Sequence, residues 1–220
     1  MNLGAGVIIG PNVSVGTNVN IGHYSIIEGN VKIGDNVKIH PGVVIGSPPQ
    51  YKNFKSDPTG KIHIGHGSEL REYCTINMPT VPEGCTVVGA NCYIMNHVNI
   101  SHDVKIGNNV TVSNGASIGG FCHIGDYCNL GFNCSIHQHV HLGAGCMIGM
   151  NSQVRKNVFP FTTIKNNKTG FNLIGAQRFS KETNIDVKLL AQCYFEQENI
   201  SELCKNNKKL LKYYSNFCEK

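Results

Sequence analysis

The chain has only 8 prolines and 15% charged residues in 220, and several things that would direct a first reading are missing from it. No run approaches the roughly 20 apolar residues needed to span a bilayer, so no membrane span is expected. The start, Met1-Asn2-Leu3-Gly4-Ala5-Gly6, lacks the charged and apolar regions of a signal peptide, and a cytoplasmic location is expected. No basic run with interleaved aromatics occurs, which gives nucleic-acid binding little support. The formal charge is a mild +5, and its lysines concentrate near the end (Lys205, Lys208, Lys209, Lys212). Such a surface suits a solvated helix face, an acidic carrier protein or a phosphate-bearing substrate. No Cys-x-x-Cys pair exists among the 10 cysteines, so no metal site is expected.

What is present is a period of six. From Val88 to Val154 an aliphatic recurs at every sixth position (Val88, Ile94, Ile100, Ile106, Val112, Ile118, Ile124, Leu130, Ile136, Leu142, Ile148, Val154). Seven more hits run from Ile9 to Ile45, and Ile64, Leu70 and Ile76 resume the count. A six-residue period fits neither a 3.6-residue helix nor ordinary hairpins; it marks a parallel β-helix solenoid whose coils bury one another's inward side chains. The 25 glycines suit a chain that turns a corner every few residues. Cys74, Cys92, Cys122, Cys128, Cys134 and Cys146 all fall two positions before a repeat aliphatic, where a small hydrophobe is wanted, and read as buried reduced thiols.

The repeat predicts a solenoid over 1–158, broken by loops at about 47–61 and 77–87, then a connection over 159–180 and a helical segment over 181–220. Protruding polar loops in a regular solenoid tend to carry function. Val187, Leu190 and Tyr194 share one helical face, and Ile200, Leu203, Leu210, Leu211, Tyr214 and Phe217 suggest a second helix, with Asn199 or Ser201 as its cap.

Local strings add a family resemblance. Tyr93-Ile94-Met95-Asn96-His97-Val98-Asn99-Ile100-Ser101-His102-Asp103 resembles the catalytic coil of the UDP-N-acetylglucosamine acyltransferases that open lipid A synthesis. Ile136-His137-Gln138-His139, Leu70-Arg71-Glu72-Tyr73-Cys74-Thr75-Ile76 and Gly170-Phe171-Asn172-Leu173-Ile174-Gly175 resemble three further elements of that family, at matching spacing over nearly the whole chain. The resemblance implies an all-β solenoid, a left-handed parallel β-helix of hexapeptide repeats with a short C-terminal helical tail, assembled as a homotrimer. It implies a sugar-nucleotide acyltransferase that binds no cofactor. His102 falls on the family's general base, a job that suits a near-neutral imidazole. Asp103 falls where an aspartate orients that ring, and Gly120 on the glycine whose N–H meets the developing oxyanion. His137 and Gln138 match substrate-contacting positions, Asn172 a nucleotide-contacting asparagine, and Arg178 lies near arginines that meet phosphate.

Departures from the family pattern bear on the substrate. Asn99 stands where the family has a histidine, three residues before its base. Tyr51, just after Gln50, replaces the aspartate that would bind a 3-hydroxyl on the acyl chain. Met150 replaces a small residue that leaves room for a long chain, and Phe121 replaces a histidine. With Tyr51, Phe121 and Met150 as pocket walls, the expected acyl group is short, acetyl foremost. The donor is then acetyl-CoA or a short acyl carrier protein thioester. The acceptor is an amine or hydroxyl of a UDP- or dTDP-linked sugar in lipopolysaccharide or surface polysaccharide synthesis. The alternative is the family reaction itself, O-acylation of UDP-N-acetylglucosamine by 3-hydroxyacyl carrier protein. In a trimer His102 of one chain would face the Gln50–Asn53 loop or the tail of another.

Blander readings stand beside these. His23, His40, His63, His123, His139 and His141 have no second chemical cue and read as structural. Three histidines, His66, His97 and His102, would bind zinc if they converged at a subunit interface, as in γ-class carbonic anhydrases. Neither His97 nor His102 follows the glycine that marks ligand histidines there. A solenoid that only binds a carrier or scaffolds others is the remaining option, against which the intact His102-Asp103 pair argues.

Overall fold

The computed structural model describes residues 1–52, 54, 60–166 and 168–218, with the backbone alone for 206 and 216–218. Asn53, most of the first loop (55–59), Asn167 of the connection and the side chain of Phe217 lie outside the described residues. Short strands of two to four residues stack into three parallel sheets. Sheet A has ten strands, sheet B eight and sheet C seven, and the chain visits them in rotation. In the regular coils each strand pairs with the one a full turn later, Tyr93 with Thr111, Asn99 with Ser117 and Lys105 with His123. The solenoid is a left-handed β-helix of three sheets, as the repeat predicts.

Period six becomes structure because each strand presents one aliphatic inward and one residue outward. From Ile21 to Val154 the repeat aliphatics are all 3% exposed or less, while Ile9 and Val15 in the first coil are partly buried. Each such side chain contributes roughly 1.5–3 kcal/mol when fully buried. Polar outward residues are paired along the ladders, and three sheets closed on one another leave no face of the core open.

Corners close on residues with left-handed backbone: Asp103 (φ 60), Phe121 (φ 61), Tyr127 (φ 62) and His139 (φ 62) among them. For side chains this large that conformation costs energy and persists only where packing holds it.

Thiols at the inward small position do more than fill space. Cys74, Cys92, Cys122, Cys128 and Cys146 each donate to a carbonyl of the following coil (Met95, Gly107, His137, Gly143 and Phe159) at 3.0–3.2 Å. Ser25 and Ser68 make the same bond, to His40 O and Gly89 O, from the same position. Cysteine is used here as a hydrophobe with a weak donor. Burial pushes the thiols up, to about 12 at Cys74 and Cys134 and about 11 at Cys92 and Cys122. No disulfide joins the cysteines among the described residues.

The tail differs from its sequence reading. The stretch expected to be a connection holds a hairpin, Thr162–Lys165 against Lys168–Phe171, that extends sheet A, and then helix α1, Leu173–Thr183. Asn172 starts that helix, accepting from Gly175 N while its Nδ2 donates to Gly145 O. Helix α2 spans Val187–Phe195, and a break at Asn207 divides the last helical stretch into α3, Ile200–Asn206, and α4, Lys208–Cys218. Asn199 stands at the start of α3, but its side chain makes no capping bond there. The helices form a second core around Phe161, Phe179, Leu190, Leu210 and Tyr214, and cover the vertex where sheet C turns into sheet A.

Candidate active site

Each coil turns from sheet B to sheet C through one vertex, and its occupants stack down the molecule. Strand Val44–Ser47 leaves sheet B and the chain re-enters at Lys61 in sheet C, so the first insert springs from this vertex. The second insert does too, between Thr75–Asn77 and Cys85–Val88. Next in the column come corners 101–104, 119–122 and 137–140. His102, Asp103, Gly120, Phe121, His137, Gln138 and Tyr51 thus fall in one column, although they span nearly ninety residues of sequence.

His102 and Asp103 are 7% and 8% exposed. His102 Nδ1 lies 3.1 Å from Asp103 Oδ2. A carboxylate at that distance holds the proton on Nδ1 and leaves Nε2 free to accept one. The carboxylate is itself fixed: Oδ2 accepts from Thr80 N at 2.9 Å and from Thr80 Oγ1 at 2.8 Å. Asp103 N donates to Thr86 Oγ1, which donates onward to Asn77 O. The second insert therefore supplies the groups that orient the aspartate.

Below the imidazole lies Gly120, and any side chain there would overlap the ring at Cε1 and Nε2. Its carbonyl accepts from His139 N, while its own N–H makes no hydrogen bond among the described residues. Phe121 stands edge-on to His102 (centroids 5.1 Å) and stacks flat on His139 at 4.8 Å. Tyr51 approaches His102 from the first insert at 6.4 Å. Beside this column, a groove of about 310 Å³ crosses the outer face of sheet B, lined by Asn99, Ser101, Ser117, Ser135, His137 and Arg155 among others. Asn99 is tied to Thr75 Oγ1 and Ser101 Oγ. His137 and Gln138 are exposed at the groove's edge, and Gln50 is exposed on the first insert.

Other expected site residues are not brought to this vertex. Met150 is 63% exposed at the opposite edge of sheet B, on the vertex shared with sheet A. The Tyr51–Phe121–Met150 pocket does not exist within one chain, because Met150 follows a sheet A strand and His102 a sheet B strand. Asn172 spends both ends of its amide on the start of α1 and on Gly145. Arg178 is exposed on α1, beside Tyr127 at the vertex between sheets C and A. The zinc reading fails on the same geometry: His66, His97 and His102 sit on three different vertices, with His97 stacked on Tyr73 at 5.3 Å. No cluster of three metal-ligating side chains occurs among the described residues.

Thr80, Thr86 and His139 escaped the sequence reading as parts of the site. A signal for the first two was available. Both inserts interrupt the repeat after Ile45 and Ile76, and every third aliphatic shares a sheet, so the inserts share a vertex with the corner that follows Ile100.

A solenoid with an imidazole–carboxylate pair at a vertex flanked by protruding inserts defines the class as hexapeptide-repeat acyltransferases. The family model of bacterial transferase hexapeptides (six repeats) matches residues 12–47, 85–120 and 121–156. The acyl-[acyl-carrier-protein]–UDP-N-acetylglucosamine O-acyltransferase of Campylobacter lari is 38% identical over 202 residues, 88% of this chain and 76% of the relative. The structure of the UDP-N-acetylglucosamine acyltransferase of Campylobacter jejuni superposes with a TM-score of 0.77 at 29% identity, covering 99% of this chain and 90% of that one. The enzyme of the same name from Francisella novicida gives 0.68 at 30% identity, covering 97% and 86%. The chain belongs to the UDP-N-acetylglucosamine acyltransferase family, enzymes that acylate a nucleotide sugar.

Proposed function

We propose that this chain transfers an acyl group from the phosphopantetheine thioester of an acyl carrier protein to a hydroxyl of UDP-N-acetylglucosamine, the first reaction of lipid A assembly. The observation that carries this reading is the His102–Asp103 pair, buried, oriented by Thr80 and seated on Gly120. The relatives' names supply donor and acceptor. His102 Nε2 takes the proton of the sugar hydroxyl as its oxygen attacks the thioester carbonyl, and Asp103 stabilises the imidazolium. The Gly120 N–H donates to the oxyanion of the tetrahedral intermediate. Collapse expels the pantetheine thiolate, which takes the proton back from His102, so the base is regenerated. His137 and Gln138, with Asn99, hold the sugar nucleotide, in a reaction carried out in the cytoplasm.

The relatives named above are acyl carrier protein-dependent or act on UDP-N-acetylglucosamine, and the acetyl-CoA and amino-sugar reading loses its third pocket wall, since Met150 is remote from His102 within a chain. Met150 reaches a His102 pocket only from a second copy. Its exposure beside Phe132 (46%) on the next corner supports a trimer in which one subunit's sheet A–sheet B vertex meets another's catalytic vertex. Asn172 and Arg178 are then available to a nucleotide only across that same interface. Tyr51 and Phe121 still flank His102 and favour a shorter chain over a longer one.

The deciding experiment is product formation by purified protein offered acyl carrier donors of graded length, with and without a 3-hydroxyl, beside acetyl-CoA. UDP-N-acetylglucosamine and, in parallel, a UDP-linked amino sugar are the acceptors. Ester formation with a carrier donor is expected. Turnover of acetyl-CoA alone, or on an amino sugar alone, would overturn the reading. In the same assay His102→Ala should lower turnover by about 10²–10⁴-fold, with the trimer unchanged by light scattering.

A further inference from the structure

The outer face of sheet C carries a column unlike those of its neighbours. Its register runs Lys32, His63, Val87, Lys105, His123, His141 on successive rungs, and Lys61 lies on the same face two residues before His63. At a rung spacing of ~4.8 Å the stretch from Lys32 to His141 is roughly 24 Å long. With Ser14 on the first rung, five of its seven positions are lysine or histidine and none is acidic. Sheet B presents the neutral row Thr75, Asn99, Ser117, Ser135, Gln153. On sheet A, Lys38, His40 and Arg71 are compensated by Glu69 and Glu72 at 2.9–4.0 Å.

Carboxylates at the edge of sheet C are otherwise engaged. Asp35 accepts from Thr17 N and Oγ1, and Asp126 accepts from Asn108 N and pairs with Lys212 at 3.8 Å. Like charges on adjacent rungs repel, and the ladder shows it: His123 is lowered by burial, then by His141 and Lys105, and His63 by burial and Lys32. Its lysines, Lys32, Lys61 and Lys105, make that face a poor contact between identical chains, each of which would present the same sign. It makes a good contact for a surface of opposite sign.

Its position chooses that surface. Lys105 follows Asp103 by two residues, and Lys61, Lys105 and Asp103 all bear on the Cys85 thiol, so the ladder begins at the catalytic vertex. We propose that the sheet C face is where the acidic body of the acyl carrier protein docks, its pantetheine arm turning the vertex to reach His102. This rests on the carrier-dependent reading above.

The test separates docking from chemistry. In Lys32→Glu/Lys105→Glu, and in the milder Lys32→Gln/Lys105→Gln should the reversal not fold, turnover is followed with an acyl carrier donor and with the same acyl group on free pantetheine. Affinity for holo carrier is measured directly over a range of salt. The proposal expects KM for the carrier donor to rise about tenfold or more in the charge-reversed form, with a weaker salt dependence of binding and unchanged kinetics on acyl-pantetheine. Unchanged carrier KM and salt dependence would overturn it while leaving the reaction intact. So would a rise confined to the KM for UDP-N-acetylglucosamine, which would assign the ladder to the nucleotide's phosphates. Wild-type protein that turns over acyl-pantetheine but neither binds nor uses the carrier would overturn the carrier reading and the docking face together.

Discussion

The chemistry proposed at His102 depends on a carboxylate that does not hold itself. Asp103 sits on a left-handed corner (φ 60), and without a second anchor its side chain could swing away from the ring. Thr80 supplies the anchor through two hydrogen bonds to the same oxygen that meets His102. Thr80→Val keeps the shape and the backbone donor and removes the hydroxyl; kcat should fall about tenfold and the acid limb of its pH profile should shift, with Tm little changed. Thr80→Ser should restore both. A variant with wild-type kcat and pH profile would make Thr80 a packing residue. The corner thiols make a second residue-scale case. With pKa values of about 11 at Cys92 and Cys122, on the order of one thiol in a thousand is thiolate at pH 8. Peptide mapping after mild alkylation of native protein should find the half-buried Cys85 modified well before Cys92 or Cys122.

For the strand, function follows from which residue of the pair faces out. Hexads were legible because burial on all three faces demands an aliphatic every sixth residue and leaves the outward position free. That freedom is why the outward rows are so different: neutral on sheet B, compensated on sheet A, basic on sheet C. The basic row has a cost that depends on pH. His63 and His123 are lowered on folding, so the unfolded chain binds more protons than the native one as pH falls from the ordinary histidine value toward the folded one. Stability is therefore full above about pH 7 and declines as pH falls through about 6.5. The urea midpoint should drop across that window, and His123→Asn should flatten the drop. An equal slope in the variant would show that other groups carry it.

As a whole, the molecule is a prism whose three vertices do different work. One carries the proposed catalytic pair, one is covered by helices at its C-terminal corners, and one carries exposed Tyr73, Phe132 and Met150. Residues the family pattern groups into one site are divided between vertices, so the site proposed above draws on more than one copy. The protein should sediment as a trimer, and Met150→Ala should shift acyl preference toward longer chains with kcat on the shortest donor retained. A monomer with full activity would refute the shared site.

Sequence alone determined the solenoid, because a six-residue repeat has one economical way to bury its aliphatics. It also offered His102, Asp103 and Gly120 as candidates, through the resemblance of the string around His102 to a family's catalytic coil. The tail was less legible. Helix α1 buries only Ala176 and Phe179, too few for a clear helical period, and it begins where Asn172 reaches back to Gly145, a contact that exists only once the solenoid has closed. Tertiary structure likewise decided that Thr80 holds Asp103 and that Met150 lies apart from His102. Both depend on which vertex a residue occupies, and a vertex is defined by the stacking of coils, not by distance along the chain.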